Sequence, residues 1–120
     1  MENKNTAFNK SKDFSLRILK LSGYIKSETR EYSLADQVIR CGTSIGANLA
    51  EAECAISRKD FLSKVYIALK ESAEMLYWLE ILYRGQIIDK KLYDSLYADC
   101  FEIKKMLSAT TKTLNEEFNN

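Results

Sequence analysis

Proline is absent from this chain and only four of its 120 residues are glycine. The residues that punctuate strands and turns are therefore nearly missing, while apolar side chains recur at spacings of three and four almost throughout. A chain patterned this way is confined to helices, and its length suits one compact domain with a genuine core.

The first helix is expected over about Thr6 to Ser27, with Phe14, Ile18, Leu21 and Ile25 on one stripe and Gly23 as a weak point near its C-terminal end. Ser33 is a plausible N-cap for a second helix running to about Cys54, with Leu34, Val38, Cys41, Ile45, Leu49 and Ala52 facing inward. Gly42 and Gly46 sit inside that helix, where each costs up to about 1 kcal/mol relative to alanine. A close approach by another helix or by a ligand would compensate; a kink is the competing explanation. Ser57 and Asp60 resemble a capping box that opens a third helix. Its seam, Phe61, Val65, Ala68, Ser72, Met75, Leu79 and Leu82, is a heptad pattern. Gly85 is expected to end this helix in the left-handed conformation, and Asp89 to cap a fourth carrying Leu92, Leu96, Cys100, Ile103, Leu107 and Leu114. Short connections between the four predict an all-α, antiparallel up-down-up-down bundle spanning residues 1–120. Its ends are expected to fray at about 1–5 and 116–120.

Within the second helix runs a polar ladder, Arg40, Ser44, Asn48 and Glu51, at spacings of four, four and three. Those spacings stack the four side chains on one face. Arg40 and Glu51 lie about 16 Å apart along the axis at about 1.5 Å per residue, so neither can pair with the other and each needs a partner elsewhere. The face is either a subunit interface or a groove that binds a ligand or partner. Tyr66, Tyr77, Trp78, Tyr83, Tyr93, Tyr97 and Phe101 fall beside the main stripes and argue for self-association as a cluster, although tyrosines also commonly border a wide core.

Charge and cysteine usage narrow the chemistry. The formal net charge is +1, so the chain lacks the overall basic excess of a protein that coats nucleic acid. Positive charge nevertheless concentrates at the start: residues 1–32 carry seven cations and four acids, whereas residues 33–56 carry one and three. Lys4, Lys10, Lys12, Arg17, Lys20 and Lys26 are the candidates for phosphate contact; the competing reading is a solvated helix face. Cys41, Cys54 and Cys100 show no CxxC spacing and read as three reduced, mostly buried thiols. With no histidine in the chain, neither a Glu-x-x-His metal site nor an activated cysteine nucleophile can be assembled. Glu71 and Glu74 are spaced like the carboxylates of magnesium-dependent nucleotide hydrolases, to which Glu51 with Glu53 could add ligands, but the denser acidic pattern of such sites is missing. No Gly-rich phosphate loop, and so no cofactor, is indicated. No apolar run approaches a membrane span and the N-terminus has no signal-peptide core, which predicts a cytoplasmic protein without membrane contact.

The segment RCGTSIGANLAEAECAISRKDFLSKVYIALKESAEMLYWLEIL resembles the bacterial four-helix-bundle proteins encoded in intervening sequences of large-subunit ribosomal RNA genes. The likeness rests on Arg40, Ser44-Ile45, Asn48, Ala50-Glu51, Ser57-Arg58, Asp60-Phe61, Ala68 and Ser72. It departs at Ala52, where that family commonly has glycine, and at Glu71-Ser72, where Gly-Ser is common. The resemblance implies a ring-shaped homopentamer. It also extends to the accessory variability determinant proteins of diversity-generating retroelements, which are more basic and act with a reverse transcriptase on nucleic acid. What it implies here is a non-enzymatic oligomeric module that binds RNA, DNA or such an enzyme. A protein adaptor without nucleic-acid binding, and more remotely a metal-dependent hydrolase, are the alternatives.

Overall fold

The computed structural model describes residues 6–119. Four helices follow one another, α1 (Ala7–Thr29), α2 (Tyr32–Ala52), α3 (Arg58–Arg84) and α4 (Lys90–Asn119). Each packs against the next, and α1 meets α4 along a much thinner seam, in a body 50 × 29 × 22 Å. Ion pairs record the antiparallel register: Arg40 of α2 reaches Glu74 of α3 while Glu51 reaches Lys64, and Arg58 at the start of α3 pairs with Glu117 near the end of α4. The all-α four-helix bundle expected from the periodicity is the fold observed. No helix among the described residues is long and apolar enough to cross a membrane.

The apolar stripes meet in one core. Phe14, Ile18, Leu21 and Ile25 of α1 join Val38, Cys41, Ile45 and Leu49 of α2, and the α3 seam from Val65 to Leu82 joins Leu96, Cys100, Ile103 and Leu107 of α4. Leu34, Phe61 and Leu92 are only partly buried at the margins, and Ala35 takes the inward place beside Leu34. The buried hydroxyls find partners in the backbone. Ser22 Oγ donates across helices to the Ala35 carbonyl at 3.2 Å, and Ser72 Oγ donates to the Leu69 carbonyl at 2.6 Å. Burial of such groups without a bond would cost about 1–3 kcal/mol each.

Gly42 and Gly46 are explained by helix approach. A Cβ at Gly42 would lie 2.7 Å from Ile18 Cγ2, and one at Gly46 would lie 3.0 Å from Ser11 Oγ, so both glycines let α1 settle against the α2 backbone. The occupant of that space is another helix of the same chain, and α2 runs unbroken through it.

Several helix ends differ from expectation. α1 continues to Thr29 and closes on Arg30 in the left-handed region (φ 58°), whose N–H donates to the Lys26 carbonyl. Ser33 does not cap α2: the helix starts at Tyr32 after Glu31, without a side-chain cap, because only Arg30 and Glu31 separate it from α1. Ser57 does cap α3, accepting from the Asp60 N–H at 3.0 Å. Asp60 in turn accepts from the N–H of Ile56, one residue before the cap. At the end of α3, Gly85 is not left-handed (φ −79°); Gln86 is (φ 63°). The Gln86 N–H donates to the Tyr83 carbonyl and the Ile87 N–H to the Leu82 carbonyl, a Schellman closure displaced by one residue, with Ile87 packed on the core beyond it. Apolar anchoring by Ile87 and the buried Ile88 fixes where the chain must turn, overriding the preference for glycine. Asp89 caps α4 as expected, accepting from the Leu92 N–H at 2.8 Å. α4 is helical to Asn119, and residues 1–5 and 120 lie outside the described residues.

Candidate functional site

The polar ladder turns toward α3. Ser44 Oγ donates to the Arg40 carbonyl and Asn48 Nδ2 donates to the Ser44 carbonyl at 2.8 Å, so the two middle rungs are satisfied within their own helix. The outer rungs find the partners they need on the neighbouring helix. Arg40 lies 3.0 Å from Glu74 and 3.6 Å from Glu71, and Glu51 lies 3.5 Å from Lys64. Arg40 and Glu74 are about half exposed, Glu71 less so. The two outer rungs thus fasten α2 to α3 within one chain.

Around Arg40 the structure gathers a thiol and two carboxylates. The Cys41 Sγ and one carboxylate oxygen each of Glu71 and Glu74 lie within 4.8 Å of one another. The Cys41 thiol also donates to the Glu71 backbone carbonyl at 3.4 Å. The Cys41 thiol first, and then the Arg40 guanidinium, hold the Glu74 carboxyl below the usual carboxylate range, against an opposing effect of burial. Burial and the two acidic neighbours push the Cys41 thiol far up, so it stays protonated. A thiol and two carboxylates are donors for a borderline cation. Here, however, the guanidinium offsets one of the two carboxylate charges and engages both side chains, and the thiol keeps its proton. Glu51 stands apart with Lys64, so Glu51, Glu71 and Glu74 do not converge as a hydrolase would require. Two buried polar atoms on this side of α3, Glu71 Oε2 and Trp78 Nε1, have no hydrogen-bond partner among the described residues.

The first-helix cations separate into two groups. Lys10 pairs with Glu102 at 3.0 Å and Arg17 with Asp99 at 2.7 Å, tying α1 to α4, while Lys26 pairs with Asp36 of α2 at 3.0 Å. Lys12 lies over the Phe8 ring, 4.2 Å from its centroid, and Lys20 has no ion-pair partner among the described residues. Lys4 lies outside the described residues. Sequence reading missed Leu16 and Leu19, which are 61% and 55% exposed and sit at helical spacing with Lys12 and Lys20 on the outer side of α1. Their signal was legible as two leucines off the core stripe.

The aromatic cluster resolves into a row. Tyr83 stacks on Tyr93 with ring centroids 4.7 Å apart, Tyr93 meets Tyr97 at 5.5 Å, and Tyr97 stacks on Phe101 at 6.0 Å. Lys105 lies over the far end of the row, 5.7 Å from the Phe101 centroid. Tyr77 and Trp78 form a separate edge-to-face pair, and Tyr66 lies beneath Lys70. The rings of the row pack mainly on one another, within and between α3 and α4. Of the cysteines, Cys41 and Cys100 are buried but Cys54 is exposed, which corrects the expectation of burial for the third: it lies in the turn after α2, beyond the last core contact of that helix.

Comparison with known proteins places these features in a family. A family model described as 23S rRNA-intervening sequence protein matches residues 3–109. The chain is also similar to a crystal structure of a protein with unknown function from the S23 ribosomal protein family of Bacteroides thetaiotaomicron VPI-5482. The two are 44% identical and superpose with a TM-score of 0.87, over 89% of this chain and 99% of that one. None of the curated proteins matches the sequence.

Proposed function

The chain belongs to the 23S rRNA-intervening sequence protein family, and from that premise we propose that it is a non-enzymatic, cytoplasmic bundle that self-associates and binds nucleic acid, or a nucleic-acid-processing partner such as a reverse transcriptase, through α1. The observation that carries this reading is the charge of α1. Between Ala7 and Thr29 it holds five cations and two acids, while the cations and acids of α4 balance at five each. The side opposite the core adds exposed Leu16 and Leu19 beside Lys12 and Lys20, a mixture of apolar and cationic groups suited to a partner surface. A non-enzymatic role is supported by the way ionisable groups meet: both carboxylates of the Arg40 cluster are engaged by its guanidinium and both buried thiols are held protonated. The assembly we favour is the homopentamer that the family resemblance implies.

A protein adaptor without nucleic-acid affinity is the second reading, and a specific observation favours it. Lys10, Arg17 and Lys26 are already engaged by Glu102, Asp99 and Asp36, which lowers their capacity to displace counterions from a phosphate backbone. Binding of labelled structured RNA and duplex DNA across a salt series, with mass in solution measured alongside, separates the two. Nucleic-acid binding requires an affinity that falls steeply with salt, with a slope of about 0.9 per phosphate contact on duplex DNA, reduced when Lys12 and Lys20 are both changed to Glu. An oligomer that binds neither nucleic acid at low salt overturns the first reading and leaves the adaptor.

A further inference from the structure

The α1–α4 seam changes character along its length. Toward the start of α1 it is polar, lined by Lys10, Asp13, Asp99 and Glu102 around the Lys10–Glu102 pair. Beyond the Arg17–Asp99 bridge it opens into a cavity of about 390 Å³. Its lining is Leu21, Leu92 and Leu96 with Arg17, Lys20 and Tyr24. That volume falls in the range of ligand pockets, about 300–1,000 Å³. The leucines belong to the core margin: Leu21 and Leu96 are buried and Leu92 is half-buried. Among the described residues no acid lines this part. Arg17 is balanced by Asp99, so the uncompensated charge is that of Lys20, which has no partner among the described residues. The Tyr24 side chain, 47% exposed, adds a phenol beside it.

An apolar pocket with a single free cation at its mouth is complementary to one ligand class. We propose that this cavity binds a small amphipathic organic anion, a medium-chain carboxylate. Its hydrocarbon lies on Leu21, Leu92 and Leu96 and its carboxylate meets the Lys20 ammonium, with the Tyr24 hydroxyl as a further donor. The apolar body supplies most of the affinity and the ion pair supplies the sign selectivity. The inference does not depend on nucleic-acid binding: Lys20 borders both the seam and the outer side of α1, but the apolar contacts with Leu21, Leu92 and Leu96 lie in the seam alone.

Calorimetric titration of the full chain with octanoate and with 1-octanol tests it. Octanoate is expected to bind once per protomer at submillimolar concentration, with 1-octanol about fivefold weaker, the worth of one exposed ion pair. Lys20→Ala should bring octanoate down to the 1-octanol level and leave 1-octanol unchanged. Leu92→Asp should abolish binding of both, while far-UV circular dichroism shows the helices retained. Absence of octanoate binding to the wild-type chain, or octanoate binding undiminished by Lys20→Ala, overturns the proposal. So does a wild-type oligomer that binds no octanoate and that Leu92→Asp dissociates, because a second copy then occupies the seam.

Discussion

Ile18 of α1 occupies the space in which a side chain at Gly42 of α2 would sit: an added Cβ would fall 2.7 Å and 2.8 Å from its two γ-carbons. Ile18 is fully buried and β-branched, so neither atom is the loose end of a flexible chain. Gly42→Ala is therefore expected to destabilise the bundle by about 1–3 kcal/mol through overpacking, outweighing a helix-propensity gain of up to about 1 kcal/mol. Gly23 faces open space, and Gly23→Ala is expected to stabilise by up to about 1 kcal/mol. Urea denaturation of the two variants should give shifts of opposite sign.

Gln86 adopts the left-handed conformation that glycine favours, one residue past a glycine that does not. A non-glycine residue in that region carries a cost of about 1–2 kcal/mol. Gln86→Gly should raise the denaturation midpoint despite adding a glycine, by about 0.5–1 kcal/mol once the added unfolded-state freedom is counted. An unchanged or lowered midpoint would contradict the Schellman closure described above.

The Arg40–Glu74 pair is about half exposed on both sides, so its coupling in a double-mutant cycle should not exceed about 1 kcal/mol. Glu74 is held below the usual carboxylate range by the Cys41 thiol and then by Arg40. Its contribution is thus present above the unfolded carboxylate pKa of about 4.3 and is lost as pH falls through the lower folded value. Thermal melts on acidification should show a shallower acid limb for Glu74→Gln than for the parent. Should the ladder also take part in a subunit contact, Arg40→Ala would change the mass in solution as well, a readout that the intramolecular pair alone leaves untouched.

The three thiols should separate by access and ionisation. Cys54 is exposed, while Cys41 and Cys100 are inaccessible and burial pushes the Cys100 thiol up to about 12. Titration with a thiol-specific chromogenic disulfide at mildly alkaline pH should consume one equivalent in the native protein and three in denaturant. Because the folded values of Cys41 and Cys100 are raised, their contribution to stability is complete below the unfolded pKa of about 8.5 and declines as pH rises beyond it. A Cys100→Ala variant should show a weaker alkaline decline.

Ser57→Ala should cost about 1 kcal/mol by removing the acceptor for the Asp60 N–H at the start of α3. Chemical denaturation checks this, and Ser33→Ala, at a position that caps nothing, serves as the control, with a shift of no more than a few tenths of a kcal/mol.

Helix number, order and the buried stripes were determined by the sequence alone, because a three- and four-residue apolar period without proline admits no other regular structure that buries those side chains. Local chemistry likewise determined the Ser57 and Asp89 caps, whose hydrogen bonds close within three residues. Only the tertiary structure decided which helix fills the space over Gly42, which acids meet the α1 cations, and that the Arg40 ladder clasps α3. Each of these depends on the register between helices, and one helical stripe is compatible with several registers until side chains interlock. Gln86 shows the same limit at a chain reversal: burial of Ile88 and packing of Ile87, set by the whole core, chose the left-handed residue over the local preference of Gly85.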